Sequence, residues 1–265
     1  MEEVEGARNF EVDGETYDLF MGRYSNLLAD RFADAAGVRA GQTALDVGCG
    51  PGALTRALVE RLGAASVAAC DPSPTFVNAC AGRYPDVELQ LGRAEALPFD
   101  DGRFDQVLAQ LVLHFVSDPL QAAGELVRVA RPGGTIGACV WDFDDGMEML
   151  RRFWDAALAV DPDAPDEART MRFGRSGELL DLLDQAGLQD TRETTLSVSS
   201  TYRDFDELWA GLCAGVGPAG SYCQSLPPPA RDRLERRLHA ELGAPTGSFA
   251  LDAVARCAFG RTDST

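Results

Sequence analysis

The sequence contains no lysine, so all 24 of its basic residues are arginine, and 42 acidic residues give a formal net charge of −18. A chain this acidic repels a phosphate backbone unless it hides a local basic groove. The arginines between residues 231 and 237 alternate with Asp232 and Glu235, a pattern typical of a solvated helix face with paired charges. We therefore expect no nucleic-acid partner.

Histidines and metal-binding cysteine patterns are also scarce. The chain has two histidines, His114 and His239, and none of its seven cysteines forms a CxxC pair. A structural zinc site needs several such ligands at close spacing, so we expect no bound metal. Several cysteines fall in apolar strand-like runs, which indicates reduced core residues in a reducing compartment.

Long apolar runs are missing. The longest covers residues 107–116, is interrupted by Gln110 and His114, and is far shorter than the roughly 20 residues that span a bilayer. Residues 1–5 are acidic, whereas a signal peptide begins with basic residues and an apolar run. These absences predict a cytoplasmic protein with no membrane insertion.

Strand-like and helical segments alternate through the first half of the chain. Strands are expected at residues 43–47, 66–70, 87–91, 104–110 and 135–141, with helices between them. One helix should begin at Asp118, as its N-cap, with Pro119 in the first turn. The alternation predicts βαβ units, and hence a parallel sheet covered by helices on both faces.

The regular alternation of strands and helices stops after residue 142. We expect one domain, 1–265, made of several parts. The second insertion should contain a helix near 204–212, a Gly/Pro-rich turn at 215–220 and a helix after Pro229, and short strands are expected near 194–198 and 257–261. The predicted parts are an N-terminal helical lid (1–40), a cofactor-binding core (41–142), two substrate-lid insertions (143–174 and 203–246) and a final strand (247–265).

A glycine-rich loop joins the first expected strand to the first helix. Its glycines permit a tight turn and let a ligand contact the backbone at the carboxyl end of a parallel strand. The segment from Gly48 to Ala53, with Asp71 roughly 20 residues on, also fits the dinucleotide fingerprint. However, Pro51 removes one N–H donor and Asp46 adds a negative charge, which disfavours a pyrophosphate and favours a cationic ligand. Asp71 suits the two hydroxyls of a ribose, and could equally be a helix N-cap.

Five motifs occur in order: residues 45–52, Asp71, 92–99, 104–107 and 131–134. Together they resemble class I S-adenosylmethionine (SAM)-dependent methyltransferases, specifically the small-molecule group of the ubiquinone and menaquinone biosynthesis enzymes. The resemblance implies an α/β fold: a Rossmann-like, seven-stranded, mostly parallel sheet with helices on both faces and helical lid insertions. It also implies SAM as cofactor, with S-adenosylhomocysteine (SAH) as product.

The resemblance assigns roles to particular residues. The glycine loop would hold the methionine part of SAM, Asp71 the ribose, Ala94 and Glu95 the adenine, and the backbone after the fourth strand the amino-acid end. Arg93 departs from the family pattern, which often has an aspartate there. The implied cofactor contacts are Tyr24, Asp46, Gly48, Cys49, Gly50, Asp71, Pro72, Ala94, Glu95, Gln110 and Leu111.

The acceptor site is less specified. Aromatic residues in the lid and insertions favour a small apolar or ring-bearing acceptor, and a homodimer is compatible with the sequence. His114 is the candidate general base, with core packing as its alternative role. The expected substrate contacts are Tyr17, Phe20, His114, Trp141 and Phe143, of which Tyr17 and Phe20 could instead be packing residues.

Two other functions fit the same residues. An NAD(P)-dependent oxidoreductase could use the same glycine loop for a dinucleotide. The protein could also bind SAM and carry out chemistry other than methyl transfer. Catalysis by alignment of two reactants requires no catalytic side chain, so no sequence feature separates these two functions.

Overall fold

The computed structural model describes residues 17–264, in which a seven-stranded sheet has the order β3-β2-β1-β4-β5-β7-β6. Strands β1 to β5 pair in parallel, and β7 is antiparallel to both of its neighbours. This confirms the predicted mostly parallel Rossmann-like sheet. The strands are Ala44–Val47 (β1), Val67–Asp71 (β2), Glu88–Leu91 (β3), Phe104–Gln110 (β4), Ala130–Trp141 (β5), Gln189–Tyr202 (β6) and Phe249–Arg261 (β7).

Helices cover both faces of this sheet, which explains why β1, β2 and β4 are buried along their whole length. One apolar cluster includes Leu28, Phe32 and Leu58, and the other, on the opposite face, includes Leu126 and Leu183. The helices are Arg23–Ala36 (α1), Ala53–Leu62 (α2), Pro74–Arg83 (α3), Pro119–Val129 (α4), Glu148–Val160 (α5), Glu167–Thr170 (α6), Glu178–Gln185 (α7), Phe205–Cys213 (α8), Gly217–Ser225 (α9) and Pro228–Glu241 (α10).

The start of α4 follows the sequence prediction. Asp118 is the N-cap, and its carboxylate accepts a hydrogen bond from the backbone N–H of Gln121 at 3.0 Å, with Pro119 in the first turn. The predicted turn at 215–220 was wrong in part, because Gly217 begins α9. Pro218 stands in the first turn of α9, where proline's missing N–H leaves no hydrogen bond unmade.

The last two strands are much longer than predicted. β6 and β7 pair antiparallel from Gln189–Arg261 to Tyr202–Phe249, whereas the sequence indicated strands only at 194–198 and 257–261. β6 is rich in Thr and Ser and alternates partly buried with exposed positions, so it contains no long apolar run. Its length is set by its partner strand, which a local pattern does not show.

The N-terminal segment supports the site from one side. Asp18–Gly22 forms a short π-helical turn that leads into α1, and the C-cap of α1 is Gly37, which has a φ of 75°. Residues 1–16 of the predicted lid and Thr265 of the predicted final segment lie outside the described residues. Among residues 17–264, no helix is long and apolar enough to cross a membrane, and no cluster of three or more His, Cys, Asp or Glu could hold a metal ion.

Candidate functional site

A cavity of about 730 Å³ opens at the carboxyl ends of β1, β2, β4 and β5. In open parallel sheets, ligands bind at this edge, where the loops after the strands diverge. The floor of the cavity is the glycine loop between β1 and α2. Its other walls come from the loops after β2 to β5, the N-terminal segment before α1, and the insertions that carry α6 and α9.

Three glycines give the loop its shape. Gly48, Gly50 and Gly52 have φ values of 71°, 53° and 102°, in the left-handed region that side chains rarely adopt. A Cβ at Gly48 would lie 2.4 Å from Val112 Cγ2, and one at Gly52 would lie 2.7 Å from Tyr84 Cε2. A Cβ at Gly50 would meet no described atom within 4 Å, so Gly50 keeps the cavity itself open to a ligand.

The loop's own N–H groups are already used within the chain. The N–H groups of Gly48 and Cys49 donate to the Cys70 carbonyl at 2.8 and 3.0 Å, and that of Gly52 donates to the Cys49 carbonyl at 3.0 Å. The N–H of Gly50 donates to Asp71 Oδ2 at 2.9 Å, and Pro51 has no N–H. From 48 to 52, therefore, no backbone donor remains for a phosphate.

Asp71 ends β2 and joins the glycine loop to α3. Besides the bond from Gly50, its Oδ1 accepts from the Ser73 N–H at 2.9 Å. Ser73, not Asp71, is the N-cap of α3, and its hydroxyl accepts from the Phe76 N–H at 3.4 Å, so the alternative N-cap role for Asp71 was wrong. Burial raises the pKa of Asp71, and the two backbone hydrogen bonds oppose that shift.

Asp46 is a buried acid beside the loop. Its Oδ2 accepts from the Thr55 hydroxyl at 2.7 Å, and the side chain is 1% exposed. Burial raises the pKa of Asp46 to about 7; hydrogen bonds from Thr55 oppose the shift, and the nearby Asp71 adds to it. Within residues 17–264 no arginine forms an ion pair with Asp46, so a cationic ligand would meet an unpaired carboxyl here.

Gln110 is the last residue of β4, at the middle of the sheet, and Leu111 follows it. Gln110 Nε2 donates to the Ser25 carbonyl at 3.0 Å, while its buried Oε1 has no partner among the described residues. Leu111 has a φ of 61°, which is uncommon for a residue with a side chain and typical of strained backbone at functional sites. Gln110 lines the cavity, but its unpaired oxygen is itself buried.

His114 lies in the turn after β4 and lines the cavity, but it is a weak base. It is 3% exposed, and burial lowers the pKa of its imidazole to about 3. Its Nδ1 has no hydrogen-bond partner within residues 17–264, and the ring lies 5.4 Å from that of Phe143. The structure therefore places a neutral imidazole, able to orient an acceptor, at this wall.

The cavity brings together all but one of the predicted site residues. Tyr24 does not line it: the ring is fully buried against Trp141, and its hydroxyl lies 3.1 Å from that of Tyr202. That prediction was wrong because a partner on β6 draws the side chain away from the cavity. The residues that do line it are Asp46, Gly48, Cys49, Gly50, Asp71, Pro72, Ala94, Glu95, Gln110 and Leu111 for the cofactor, and Tyr17, Phe20, His114, Trp141 and Phe143 for the substrate.

Sequence reasoning missed one charged residue of the cavity, Glu167 at the start of α6. It is 4% exposed, and Trp154 Nε1 donates to its Oε2 at 2.7 Å. The preceding stretch is acidic and contains prolines, which is typical of a solvated loop. Nothing in that local composition signals burial.

Comparison with known proteins finds similarity to methyltransferases in sequence and in fold. Residues 45–138 match a family profile described as a methyltransferase domain. The fold resembles that of a candidate methyltransferase from an antibiotic biosynthesis pathway of Anabaena variabilis, with a TM-score of 0.62 and 19% identity over 88% of this chain and 96% of that one. Residues 45–138 therefore match a methyltransferase domain, and the fold of the chain is similar to that of solved methyltransferase structures.

Two curated relatives match part of the chain. An uncharacterized methyltransferase of Mycobacterium tuberculosis is 42% identical over 106 residues, which is 40% of this chain and 42% of that protein. A demethylmenaquinone methyltransferase of Beutenbergia cavernae is 34% identical over 130 residues, covering 49% and 52% of the two chains. The chain thus spans about half the length of these relatives or less.

Proposed function

We propose that this protein transfers the methyl group of SAM to a small acceptor with an apolar or aromatic body. The observation that carries the proposal is the chemistry of the glycine loop. Every N–H from 48 to 52 is already bonded, and the acids beside the loop, Asp46 and Asp71, have no arginine partner within residues 17–264. Such a loop suits a ligand with a sulfonium and an ammonium group.

The same observation disfavours the dinucleotide alternative. A pyrophosphate on this loop would find no free N–H donor from 48 to 52 and would face two carboxyls. The ammonium and ribose hydroxyls of SAM are donors, and they match the carboxyl groups of Asp46 and Asp71 that line the cavity. The residues present therefore fit SAM.

When bound, SAM would supply a methyl carbon activated by the sulfonium and open to in-line displacement by a nucleophile of the acceptor. The chain's contribution is to hold the two reactants in alignment and to exclude water, which can be worth about 7–11 kcal/mol. The walls that would position the acceptor are apolar or aromatic, including Phe20, Trp141 and Phe143. His114, with a pKa of about 3, would orient the acceptor rather than remove its proton.

The first test is thermal unfolding with SAM, SAH or NADH in large excess. A ligand at about 100 times its dissociation constant stabilises the folded state by ~2.7 kcal/mol, a shift of several degrees for a chain of this size. We expect shifts with SAM and SAH and none with NADH. A shift with NADH alone would overturn the proposal.

The second test measures SAH formation from SAM with a panel of small aromatic acceptors. SAM binding together with SAH formation supports methyl transfer. SAM binding without SAH formation on any acceptor of the panel would instead support a SAM-binding protein with different chemistry.

A further inference from the structure

The half of the cavity that faces β5 is distinct from the half that faces β2. Strands β2 and β5 are separated by β1 and β4, so their carboxyl ends lie about 14 Å apart. The predicted cofactor residues follow β1 to β4, which leaves the space beside Trp141, Phe143 and Leu150 for the acceptor. Helix α6, with Glu167, borders this acceptor half.

Glu167 is the one charged side chain among the described residues of the acceptor half. The hydrogen bond from Trp154 Nε1 holds Oε2, and no described group is bonded to Oε1. Burial raises the pKa of Glu167 to about 7; the Trp154 hydrogen bond opposes that shift, and Asp166 adds to it. A buried carboxyl without a counter-ion destabilises the fold, so its presence in a cavity points to a ligand.

The neighbouring acid, Asp166, has a structural role in the same segment and serves as a comparison for Glu167. Asp166 is the N-cap of α6 and accepts two hydrogen bonds from Arg151 Nη1, both at 3.1 Å. Arg151 also pairs with Asp155, and it forms no ion pair with Glu167. The local arginine therefore neutralises Asp166, and the charge of Glu167 is left for a group that enters the cavity.

The charges along the whole cavity indicate which charge the ligand group that meets Glu167 should carry. Its described acids are Asp46, Asp71, Glu95 and Glu167, while its one arginine, Arg93, lies at the cofactor end. Arg93 Nε lies 3.7 Å from Glu95 Oε2, and its side chain is 59% exposed. An acceptor with a carboxylate or phosphate would be repelled in the acceptor half. A charge-assisted hydrogen bond from an amine would be favourable there.

We infer that Glu167 is a specificity-determining residue that binds the amine of a basic acceptor with an apolar or aromatic body. The inference rests on the proposed methyl transfer, because only that reaction makes the bound amine an acceptor. Binding of the amine itself does not require turnover. Trp154 acts as a positioning residue, because its indole N–H fixes one carboxylate oxygen and leaves the other toward the cavity.

The test is calorimetric titration near pH 7.5 of the full chain, with and without saturating SAH. The three probes share a phenylethyl body and differ in the polar end: phenethylamine, 2-phenylethanol and 3-phenylpropanoate. We expect phenethylamine to bind at least about tenfold more tightly than the alcohol, and the carboxylate not to bind at millimolar concentration. Equal affinities, or no binding of phenethylamine at millimolar concentration, would overturn the inference.

Glu167→Gln keeps an oxygen that can accept from Trp154 but removes the charge. We expect this variant to bind phenethylamine at least about tenfold more weakly than the wild type and SAH equally well. Trp154→Phe keeps a ring and the charge of Glu167 but loses the N–H donor that fixes Oε2. Its affinity for phenethylamine should therefore lie between those of the wild type and Glu167→Gln. Glu178→Gln, outside the cavity, is the matched control and should bind as the wild type does.

The outcomes separate this inference from the proposed function. Absence of SAH binding with an intact, Glu167-dependent amine preference would reject the proposed cofactor and keep the amine site. Normal SAH binding with an amine affinity unchanged in Glu167→Gln would keep the cofactor assignment and reject the amine site. Loss of alcohol and amine binding by equal factors would show that Glu167 binds any donor, which also overturns the assignment to amines.

Discussion

Acidification should weaken SAM binding through Asp46. In the free protein, burial holds the pKa of this carboxyl at about 7, and a cationic ligand binds its ionised form. Because the pKa is raised, the ionised form is lost as the pH falls through about 7, well above the pH at which an exposed aspartate becomes protonated. Affinity should therefore decline within a window where most carboxylates stay charged.

The size of the effect follows from the titration. With a pKa of about 7, about three quarters of Asp46 is ionised near pH 7.5 and about 3% near pH 5.5. If only the ionised form binds, the apparent affinity falls about 25-fold, which is ~1.9 kcal/mol. His114 contributes nothing in this window, since its pKa of about 3 keeps it neutral throughout.

The assay is calorimetric titration of SAM into the wild type and into Asp46→Asn at several pH values between these limits. The asparagine can still accept from the Thr55 hydroxyl, so the loop is retained while the titrating charge is removed. We expect weaker binding by the variant, with most of the pH dependence gone; the raised pKa of Asp71 would account for any small remainder. A wild-type affinity that is flat across this window would refute the reasoning.

Three further predictions test other parts of the site. Gly50→Ala should bind SAM at least about tenfold more weakly because its Cβ enters the cavity, whereas Gly37→Ala, also at positive φ in open space but outside the cavity, should lose only the ~1–2 kcal/mol of backbone strain; equal SAM affinities would contradict the loop assignment. Glu167→Gln should stabilise the free protein near pH 8, by at most about 3 kcal/mol, and little near pH 5, because the stability associated with a raised pKa is present at low pH and lost as pH rises through about 7; urea unfolding at both pH values measures this, and a stability change of the opposite sign or independent of pH would contradict it. Iodoacetamide should label Cys213 first under native conditions, because it alone of the described cysteines is not fully buried and the hydrogen bond with Cys223 lowers the pKa of its thiol; mass spectrometry of early time points would contradict this if another cysteine reacts first.

The parts of the fold that depend on local pattern could be predicted from the sequence. The bounds of β4, Phe104–Gln110, match the prediction; the strand has an apolar centre, Val107–Ala109, and is buried along its whole length. The glycine loop and Asp71, which the sequence assigns to one ligand, lie side by side in the structure, because loops after parallel strands meet at one edge of the sheet.

The parts that depend on distant partners could not be predicted. Tyr24 is turned from the cavity by Tyr202, which lies 178 residues away on β6. Glu167 is buried because Trp154 on α5 provides a donor, although its sequence neighbours are those of a solvated loop. In both cases the deciding interaction is a hydrogen bond between elements whose relative placement only the tertiary structure defines.

The hydrogen-bonded N–H groups of the glycine loop affect the relative affinities of this site for reactant and product. The loop is already internally bonded, so it needs no rearrangement to receive either ligand and offers both the same preorganised shape. Methyl transfer converts a sulfonium into a neutral thioether and leaves the rest of the molecule unchanged. We therefore expect the carboxyl of Asp46 to discriminate by charge, so that the site binds the reactant more tightly than the product and favours product release after each turnover.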